Sequence, residues 1–451
     1  MNKNKNSSNL NNYDLISSAL ESLKIEELNP MQKAALDAAN TTNDIVLLSP
    51  TGSGKTLAFL LPLLTRLSKT DDSIQALILT PSRELALQIE GVFRSLNTPW
   101  RSCCCYGGHP IAQEKRSIQG SKPAVIIGTP GRIADHLYKG NFSPYTIQTL
   151  IIDEFDKSLE FGFHDEMAEI IEQLPSIQKR MLVSATEAEE IPEFTALDDT
   201  LTLNFLGKSD DIVSRLTLKS VISPSRDKID TLHTLLCSLG SSSSIVFCNH
   251  REAVERVKDL LSHRGLYAER FHGGMEQPDR ERALYKFRNA SCQILVSTDL
   301  AARGLDIPEV EYIIHYHMPP QEDAFTHRNG RTARWQAKGS SFIMLSEGES
   351  LPRYIDHELE QHELPSSPSS PPKPLWVTLY LNKGKKDKLS RMDIAGFLYK
   401  KGGLVREEVG TIDVREYYSF VAVKRSKVKS LMTLVKGEKI KGIKVLIEEA
   451  N

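Results

Sequence analysis

Ten short runs of apolar, mostly β-branched or Leu-rich residues recur along this chain, each separated from the next by a longer amphipathic stretch. Ile45–Leu48, Ala76–Leu79, Ala124–Ile127, Thr149–Ile152 and Met181–Ser184 come first, with helical patterns such as Leu57–Leu67 and Glu84–Leu96 between them. The alternation restarts with Ser244–Cys248, Tyr267–Phe271, Gln293–Ser297, Tyr312–His315 and Ser341–Leu345, interleaved with Glu252–Arg264 and Asp279–Phe287. A strand with no polar side must be covered on both faces, so strand–helix alternation gives a parallel sheet with helices on both sides. The chain is read as α/β, with two such domains in tandem meeting near Phe205 to Arg215. Functional loops are expected at the carboxyl ends of the strands.

A length of 451 residues is too great for one core and leaves room for a third part. Pro365-Ser-Ser-Pro-Ser-Ser-Pro-Pro-Lys-Pro374 has a linker's composition. Beyond it the pattern reads Trp376–Leu381 strand, Arg391–Lys401 helix, Gly410–Val414 and Tyr418–Val423 strands, Lys427–Val435 helix and Ile443–Ile447 strand. This βαββαβ order makes a small α+β sheet with helices on one side, a common RNA-binding frame. From Leu375 onward there are 17 Lys+Arg against 9 Asp+Glu, a balance of +8, inside a chain whose net charge is only −2. That asymmetry suggests a tail that meets polyanions. Tyr418 and Phe420 alternate onto one strand face, where they either stack bases or pack a core.

The six cysteines show no metal-ligand spacing, and Cys103-Cys-Cys105 reads as part of a buried strand. Free thiols in a reducing, cytoplasmic compartment are expected. Met1–Asn12 is rich in Asn, Ser and Lys and is read as a disordered polar start rather than a signal peptide. The longest apolar run, Leu57–Leu64, contains Pro62 and is too short to span a bilayer, so no membrane association is expected.

Two motifs carry chemistry. Ser49-Pro-Thr-Gly-Ser-Gly-Lys-Thr56 lies between a strand and a helix; Ser49 stands where a strict phosphate-binding loop begins with Gly. Its glycines permit close backbone approach to an anion at a helix start. Lys55 would reach the terminal phosphates, and Thr56 would contact Mg²⁺. Asp153-Glu154-Phe155-Asp156 follows the apolar run Thr149–Ile152. Asp153 would hold the metal, and Glu154 would orient or deprotonate the attacking water. Nucleotide hydrolysis is the chemistry these two motifs imply.

Across roughly residues 20–350 the sequence resembles the DEAD-box RNA helicases, on motifs that appear in family order. They are Gln32, Ser49–Thr56, Pro81-Ser-Arg-Glu-Leu-Ala86, Gly107-Gly108, Thr129-Pro-Gly-Arg132, Asp153–Asp156 and Ser184-Ala-Thr186. The second domain adds Ile245–Cys248, Gln277 with Arg280, Ser297–Asp306 and His327–Arg334. The resemblance implies two RecA-like domains and ATP with Mg²⁺ as cofactors. Gln32 would read adenine, with Thr51, Gly52, Ser53, Gly54, Lys55, Thr56 and Asp306 completing the nucleotide site and Arg331 and Arg334 acting as arginine fingers. It further implies RNA contacts from Arg83, Gly108, Thr129, Arg132, Arg280 and Thr298. Asp156, Ser184, Thr186 and His327 would couple hydrolysis to strand separation. Phe155 stands where the family has Ala and is expected only to repack the core behind the site.

Residues 375–451 resemble the C-terminal RNA-binding domain of DbpA-type DEAD-box proteins. The resemblance rests on Gly384-Lys-Lys-Asp-Lys388, Gly402-Gly-Leu404, Gly410-Thr-Ile-Asp-Val414, Phe420-Val-Ala-Val423 and Lys439-Ile-Lys-Gly442. It implies anchoring to a hairpin of large-subunit (23S) ribosomal RNA and a role in ribosome biogenesis on the pre-ribosomal large subunit. The expected organisation is residues 1–207, 208–364, a linker at 365–374, and 375–451. The expected activity is ATP-dependent local unwinding of short RNA duplexes by a monomer that also binds single strands. An ATP-gated RNA clamp that scarcely unwinds, and a DNA helicase of the same superfamily, are the rivals.

Overall fold

The computed structural model describes residues 4–50, 52–68, 72–160, 162–186, 191–206, 216–302, 310–332, 339–355, 358–366 and 368–450, with side chains from residue 13. They form two compact units, one with the first seven strands and one with everything from residue 216 onward.

The first unit contains α1 (Asn4–Leu23), α2 (Pro30–Thr41), β1 (Asp44–Leu48), α3 (Lys55–Arg66), β2 (Ala76–Leu79), α4 (Arg83–Ser95), β3 (Ser102–Cys105) and α5 (Ile111–Ser121). It continues with β4 (Val125–Gly128), α6 (Pro130–Tyr138), β5 (Thr149–Asp153), α7 (Phe155–Glu160), α8 (His164–Glu172), β6 (Lys179–Ser184) and β7 (Leu201–Asn204). The strands run parallel in the order β3-β4-β2-β5-β6-β1-β7. Alternate residues supply opposite faces, as strand geometry requires. Ile45, Leu47, Ile78, Ile127 and Ile151 enter one core with α2, α3 and α4; Val46, Leu48, Leu77, Leu79 and Ile152 enter another with α6 and α8.

In this unit two features differ from the sequence expectation. Strand β7 has no apolar run because it sits at the sheet edge, where most of its side chains are exposed. Residues 4–12 of the expected disordered start are instead the first turns of α1, while residues 1–3 lie outside the described residues; further along α1, Leu15, Ile16, Ala19, Leu20 and Leu23 pack on the first core. Those apolar residues recur at helical spacing, and a polar composition over the preceding turns does not prevent the helix from extending.

In the second unit, β8 (Leu216–Ser223), α9 (Ile229–Leu239), β9 (Ser244–Phe247), α10 (Arg251–His263), β10 (Ala268–Phe271), α11 (Gln277–Arg288) and β11 (Ile294–Ser297) precede β12 (Tyr312–His315), α12 (Glu322–Asn329), β13 (Gly339–Ser346) and β14 (Glu360–Gln361). These strands form a second parallel sheet in the order β10-β11-β9-β12-β13-β8-β14. Sequence patterning misses β8 because it mixes buried and exposed positions rather than forming an apolar run.

The C-terminal part of this unit holds β15 (Trp376–Leu381), α13 (Arg391–Lys400), β16 (Val409–Val414), β17 (Ser419–Lys424) and α14 (Val428–Leu434). A short hairpin, β18 (Lys439–Ile440) and β19 (Ile443–Lys444), and then β20 (Ile447–Glu449) follow. The antiparallel sheet runs β16-β17-β15-β20. The final strand thus lies later than the expected Ile443–Ile447. Ile443 belongs to the hairpin, and pairing of Leu381 with Ile447 starts the edge strand.

Both faces of this small sheet are covered. Val377, Leu379, Leu381, Val421 and Val423 face α13 and α14. The opposite parity carries Thr378, Tyr380, Phe420 and Ala422, and it lies against α11. Phe420 stacks on Tyr285 with ring centroids 5.0 Å apart, and the Tyr285 hydroxyl donates to the Thr411 carbonyl. Tyr418 Oη donates to Glu281 Oε2 at 2.8 Å, Asn289 Nδ2 donates to Thr378 Oγ1 at 2.9 Å, and the Arg425 guanidinium lies over the Tyr267 ring. The aromatic pair Tyr418 and Phe420 therefore packs against the neighbouring domain. Arg425 also donates to the Pro374 carbonyl at 2.6 Å, which fixes the end of the Pro/Ser-rich segment.

Tyr285→Ala should lower stability by about 3–5 kcal/mol, as truncation of a buried aromatic does. It should also speed proteolytic cleavage around residues 365–374 by releasing the C-terminal domain. Unchanged cleavage would mean that this face does not hold the domain in place.

Candidate functional site

A parallel sheet covered on both faces leaves only its strand ends for chemistry. In the first unit, the residues of interest follow the carboxyl ends of β1, β2, β3, β4, β5 and β6. The strand order splits this edge into a β5-β6-β1 half and a β3-β4-β2 half.

The β5-β6-β1 half holds the phosphate-loop residues and the acids. Gly54 caps α3 at φ +90 with no side-chain acceptor, so the helix presents its backbone N–H end to the loop. Its φ of +90 favours glycine, and a Cβ there would lie 2.6 Å from Gln32 Nε2 and push that amide aside. Lys55 is buried, and its Nζ donates to the Ser49 carbonyl at 2.7 Å. Ser49 Oγ donates to Ser53 Oγ at 2.7 Å. Thr56 is the second residue of α3 and half-buried, while Gly52 is exposed.

Gln32 is latched to the loop by a capping box that patterning did not single out. Its N–H donates to Asn29 Oδ1 at 2.9 Å, and its Oε1 accepts from the Asn29 N–H at 3.0 Å. Gln32 Nε2 then donates to the Gly54 carbonyl at 3.3 Å, and Asn29 Nδ2 to the Ser53 carbonyl at 2.9 Å. The Asn-x-x-Gln spacing before an amphipathic helix was the signal available for Asn29.

Asp153 ends β5 with only 3% of its surface exposed. Burial, then the neighbouring Glu154 carboxylate, raise its pKa from 3.8 to about 7 against the opposing pull of Lys55. Glu154 lies in the left-handed region at φ 49, and its N–H donates to Asp153 Oδ1 at 3.0 Å. Strain at a non-glycine residue between strand and helix is what a sharp presentation of two acids requires. Carboxylate and hydroxyl oxygens, as on Asp153 and Thr56, are the hard donors that a small divalent cation takes, and its charge would relieve the buried Asp153.

Asp156, one turn on, accepts from Thr186 Oγ1 at 2.6 Å. Ser184 Oγ donates to the Thr186 carbonyl at 2.5 Å, and the Ser184 carbonyl accepts the Ser49 N–H at 3.0 Å. The loop, the acids and Ser184-Ala-Thr186 are thus joined by direct bonds. Phe155 is buried in the second core with Val46, Leu48 and Met167.

The β3-β4-β2 half brings Arg83, Gly108, Thr129 and Arg132 together. The Arg83 guanidinium lies against the Gly107-Gly108 turn, where a Cβ on Gly108, at φ +101, would meet Arg83 Nη1 at 2.4 Å. Thr129 caps α6 and donates its N–H to the Cys105 carbonyl at 3.1 Å. Arg132 Nη2 donates to the His109 carbonyl at 2.9 Å.

In the second unit, Arg280 is buried on α11 and donates to Gln277 Oε1 at 2.6 Å. Thr298 follows β11 and is half-buried. His327 and Arg331 are buried. Between them, Arg328 lies within the His327–Arg334 motif but had no role assigned from sequence. It donates to Asp299 Oδ1 at 2.5 Å, to the His317 carbonyl at 2.7 Å and to Asn249 Oδ1 at 2.9 Å, tying three strand ends together. Its partners lie 11, 29 and 79 residues away, so no local spacing reveals the role. Thr51, Asp306 and Arg334 lie outside the described residues.

Comparison with known proteins agrees with this layout. Residues 29–194 match the DEAD/DEAH box helicase family, 227–336 the helicase conserved C-terminal domain, and 378–449 the DbpA RNA binding domain. The chain is 34% identical over 426 residues to the ATP-dependent RNA helicase DbpA of Escherichia coli, covering 92% of this chain and 93% of that protein. It is 30% identical to the Bacillus subtilis ATP-dependent RNA helicase DbpA, covering 98% and 100%. Among solved structures it is similar to S. cerevisiae Dbp5 bound to RNA and ADP BeF3, with TM-score 0.63, 26% identity, and coverage of 73% of this chain and 86% of that one. Two RecA-like sheets, the two-halved strand edge and these matches give one conclusion: the chain belongs to the DbpA-type DEAD-box ATP-dependent RNA helicases.

Proposed function

We propose that this RNA-dependent ATPase separates short RNA duplexes locally while its C-terminal domain holds a ribosomal RNA hairpin. We further infer that it acts as a cytoplasmic monomer in assembly of the large ribosomal subunit, with working boundaries at residues 207, 364 and 374. The observation that carries the helicase reading is the divided strand edge of the first unit. One half holds phosphate-loop and acidic residues, the other holds Arg83, Gly108, Thr129 and Arg132, and Asp156–Thr186 links the first half to β6.

In this reading Gln32 recognises the adenine, and the α3 N-terminus with Lys55 binds the phosphates. Thr56 and Asp153 hold Mg²⁺, which supplies charge neutralisation at the phosphates when bound. Glu154 positions the attacking water. Arg331, Arg334 and Asp306 complete the nucleotide site. Arg83, Gly108, Thr129, Arg132, Arg280 and Thr298 supply backbone, hydroxyl and guanidinium contacts that suit a sugar-phosphate chain without reading bases. Asp156, Ser184, Thr186 and His327 transmit the nucleotide state.

The covered sheet face of the C-terminal domain directs RNA to another surface. Lys385, Lys386, Lys388, Arg391 and Lys441 are exposed together, with Lys441 Nζ 3.3 Å from the Lys388 carbonyl and Lys386 over the Tyr417 ring. A lysine cluster beside an exposed aromatic suits a structured RNA's phosphates and one unstacked base.

Lys55→Ala should abolish ATP turnover while leaving binding of a ribosomal hairpin to the C-terminal domain intact, as turnover and filter-binding assays would report. Replacing Lys385, Lys386, Lys388 and Lys441 with Ala should weaken that hairpin's binding by about tenfold or more, because phosphate contacts carry most of the affinity. Turnover with generic RNA should persist, and an unchanged preference for hairpin RNA would refute the anchoring surface. Asp153→Asn should abolish turnover yet stabilise the protein. The folded state raises this carboxyl's pKa, so its ionisation costs stability as pH climbs from about 4 through about 7. The gain should reach on the order of a few kcal/mol at about pH 8 and vanish near pH 4, as paired thermal melts would show.

A further inference from the structure

Behind the β3-β4-β2 half of the edge lies a buried acid with no place in the family motifs quoted above. Glu114 on α5 is 3% exposed, and both its carboxylate oxygens are fully engaged. Oε1 accepts from the Tyr106 N–H at 2.8 Å and faces His109 Nε2 at 2.9 Å. Oε2 accepts from Arg132 Nη1 at 2.9 Å and faces His136 Nε2 at 2.8 Å. Asn141 Nδ2 approaches the other His136 nitrogen, Nδ1, at 3.1 Å, so the amide donates there and the ring's proton sits on Nε2, toward Glu114.

Cys105 Sγ also lies within 4.8 Å of the Glu114 and His136 ligand atoms, which raises the possibility of a metal centre. The chemistry speaks against one. A cation would have to displace the Arg132 guanidinium from Glu114. The Cys105 thiol is also held well above its ordinary pKa by the Cys103 hydrogen bond and by burial. Burial pushes Glu114 up, but His109, His136, the Tyr106 N–H and Arg132 outweigh it and bring the carboxyl to about 2. It is a permanent anion satisfied by four donors.

Those donors come from two segments that sequence alone does not join. Tyr106 and His109 flank the Gly107-Gly108 turn after β3, against which Arg83 lies. Arg132 is in the first turn of α6 and also donates to the His109 carbonyl at 2.9 Å. Removing Glu114 would take one anchor from the guanidinium and its two carboxylate contacts, to the Tyr106 N–H and to His109, from the turn.

We propose that Glu114 is the positioning residue of the first unit's RNA-contact surface, setting Arg132 and the Gly107-Gly108 turn in one arrangement without itself touching RNA or nucleotide. This rests on the assignment of Arg132 and Gly108 to RNA. A pre-placed guanidinium and turn bind a phosphate backbone without first losing side-chain and loop freedom, so Glu114 acts on RNA affinity rather than on the chemical step.

The test is ATP turnover of the whole chain titrated with a single-stranded RNA, for Glu114→Gln, Arg132→Ala, Arg132→Lys and the Glu114→Gln/Arg132→Ala double variant. Glu114→Gln keeps the shape but sets an amide N–H₂ against donors. It should raise KM for RNA about tenfold, the usual scale for losing a charge-assisted hydrogen bond. KM for ATP and kcat at saturating RNA should stay within about twofold, and on the Arg132→Ala background the same change should add clearly less than about tenfold, because the guanidinium it holds is already gone and only its hold on the turn remains to be lost. Arg132→Lys retains the charge but not the two-pronged hold, and should resemble Arg132→Ala. Four outcomes would overturn the proposal. A fall in kcat with KM for RNA unchanged would make Glu114 part of catalysis or folding. Fully additive effects would separate it from Arg132, and wild-type behaviour of Arg132→Lys would make charge alone sufficient. If Arg132→Ala leaves KM for RNA unchanged, the RNA assignment of this surface falls and the proposal falls with it. Should Glu114→Gln fail to fold, the comparison of Arg132→Lys with Arg132→Ala decides alone.

Discussion

Burial of a parallel sheet on both faces is the constraint from which the rest of this protein follows. Once Ile45 and Leu47 feed one core and Val46 and Leu48 the other, the strands have no free side on which to present a functional group. Chemistry is confined to the carboxyl ends, where backbone N–H groups and short turns are available. The strand order β3-β4-β2-β5-β6-β1-β7 then decides what can meet what. Phosphate-loop residues and acids fall beside one another because β1, β6 and β5 are neighbours, although Lys55 and Asp153 are far apart in sequence. Ser184 sits between them on β6, close enough to accept the Ser49 N–H and to orient Thr186 toward Asp156.

Within that frame the polar groups sort by how they are paid for. Asp153 is buried beside a second acid, with its pKa raised, which suits a site that receives a cation. Glu114 is equally buried but saturated by donors, with its pKa lowered, which suits a fixed support. Two buried carboxylates of the first unit are thereby set to opposite tasks, Asp153 by burial beside Glu154 and Glu114 by its four donors. Arg328 plays a similar supporting part in the second unit, joining Asp299, His317 and Asn249.

Much of this was legible in the sequence because strand-rich α/β domains write their core as apolar runs and their site as short motifs at the run ends. The strands missed were those that do not form such runs: β7 at an edge, and β8 with its mixed exposure. Alternation placed Tyr418 and Phe420 on one strand face, but periodicity cannot say what covers a face. Here it is α11, through Tyr285, Glu281 and Asn289, residues distant in sequence and individually unremarkable. Glu114 escaped notice for the same reason, since four donors from separate segments leave no local pattern. Composition marks the Pro/Ser-rich stretch as a linker but cannot show that a single arginine, Arg425, holds its far end.

The C-terminal domain packs on α11, the helix that carries Arg280. Under the proposed function, an RNA held by this domain is therefore kept near the second unit's sheet rather than on a free tether. The most direct measurement of the whole account is the ATP turnover rate of the intact chain as RNA carrying a ribosomal hairpin beside a single-stranded extension is titrated in. Saturable stimulation, stronger than that given by the same extension without a hairpin, is the predicted result. A turnover rate indifferent to RNA would contradict it.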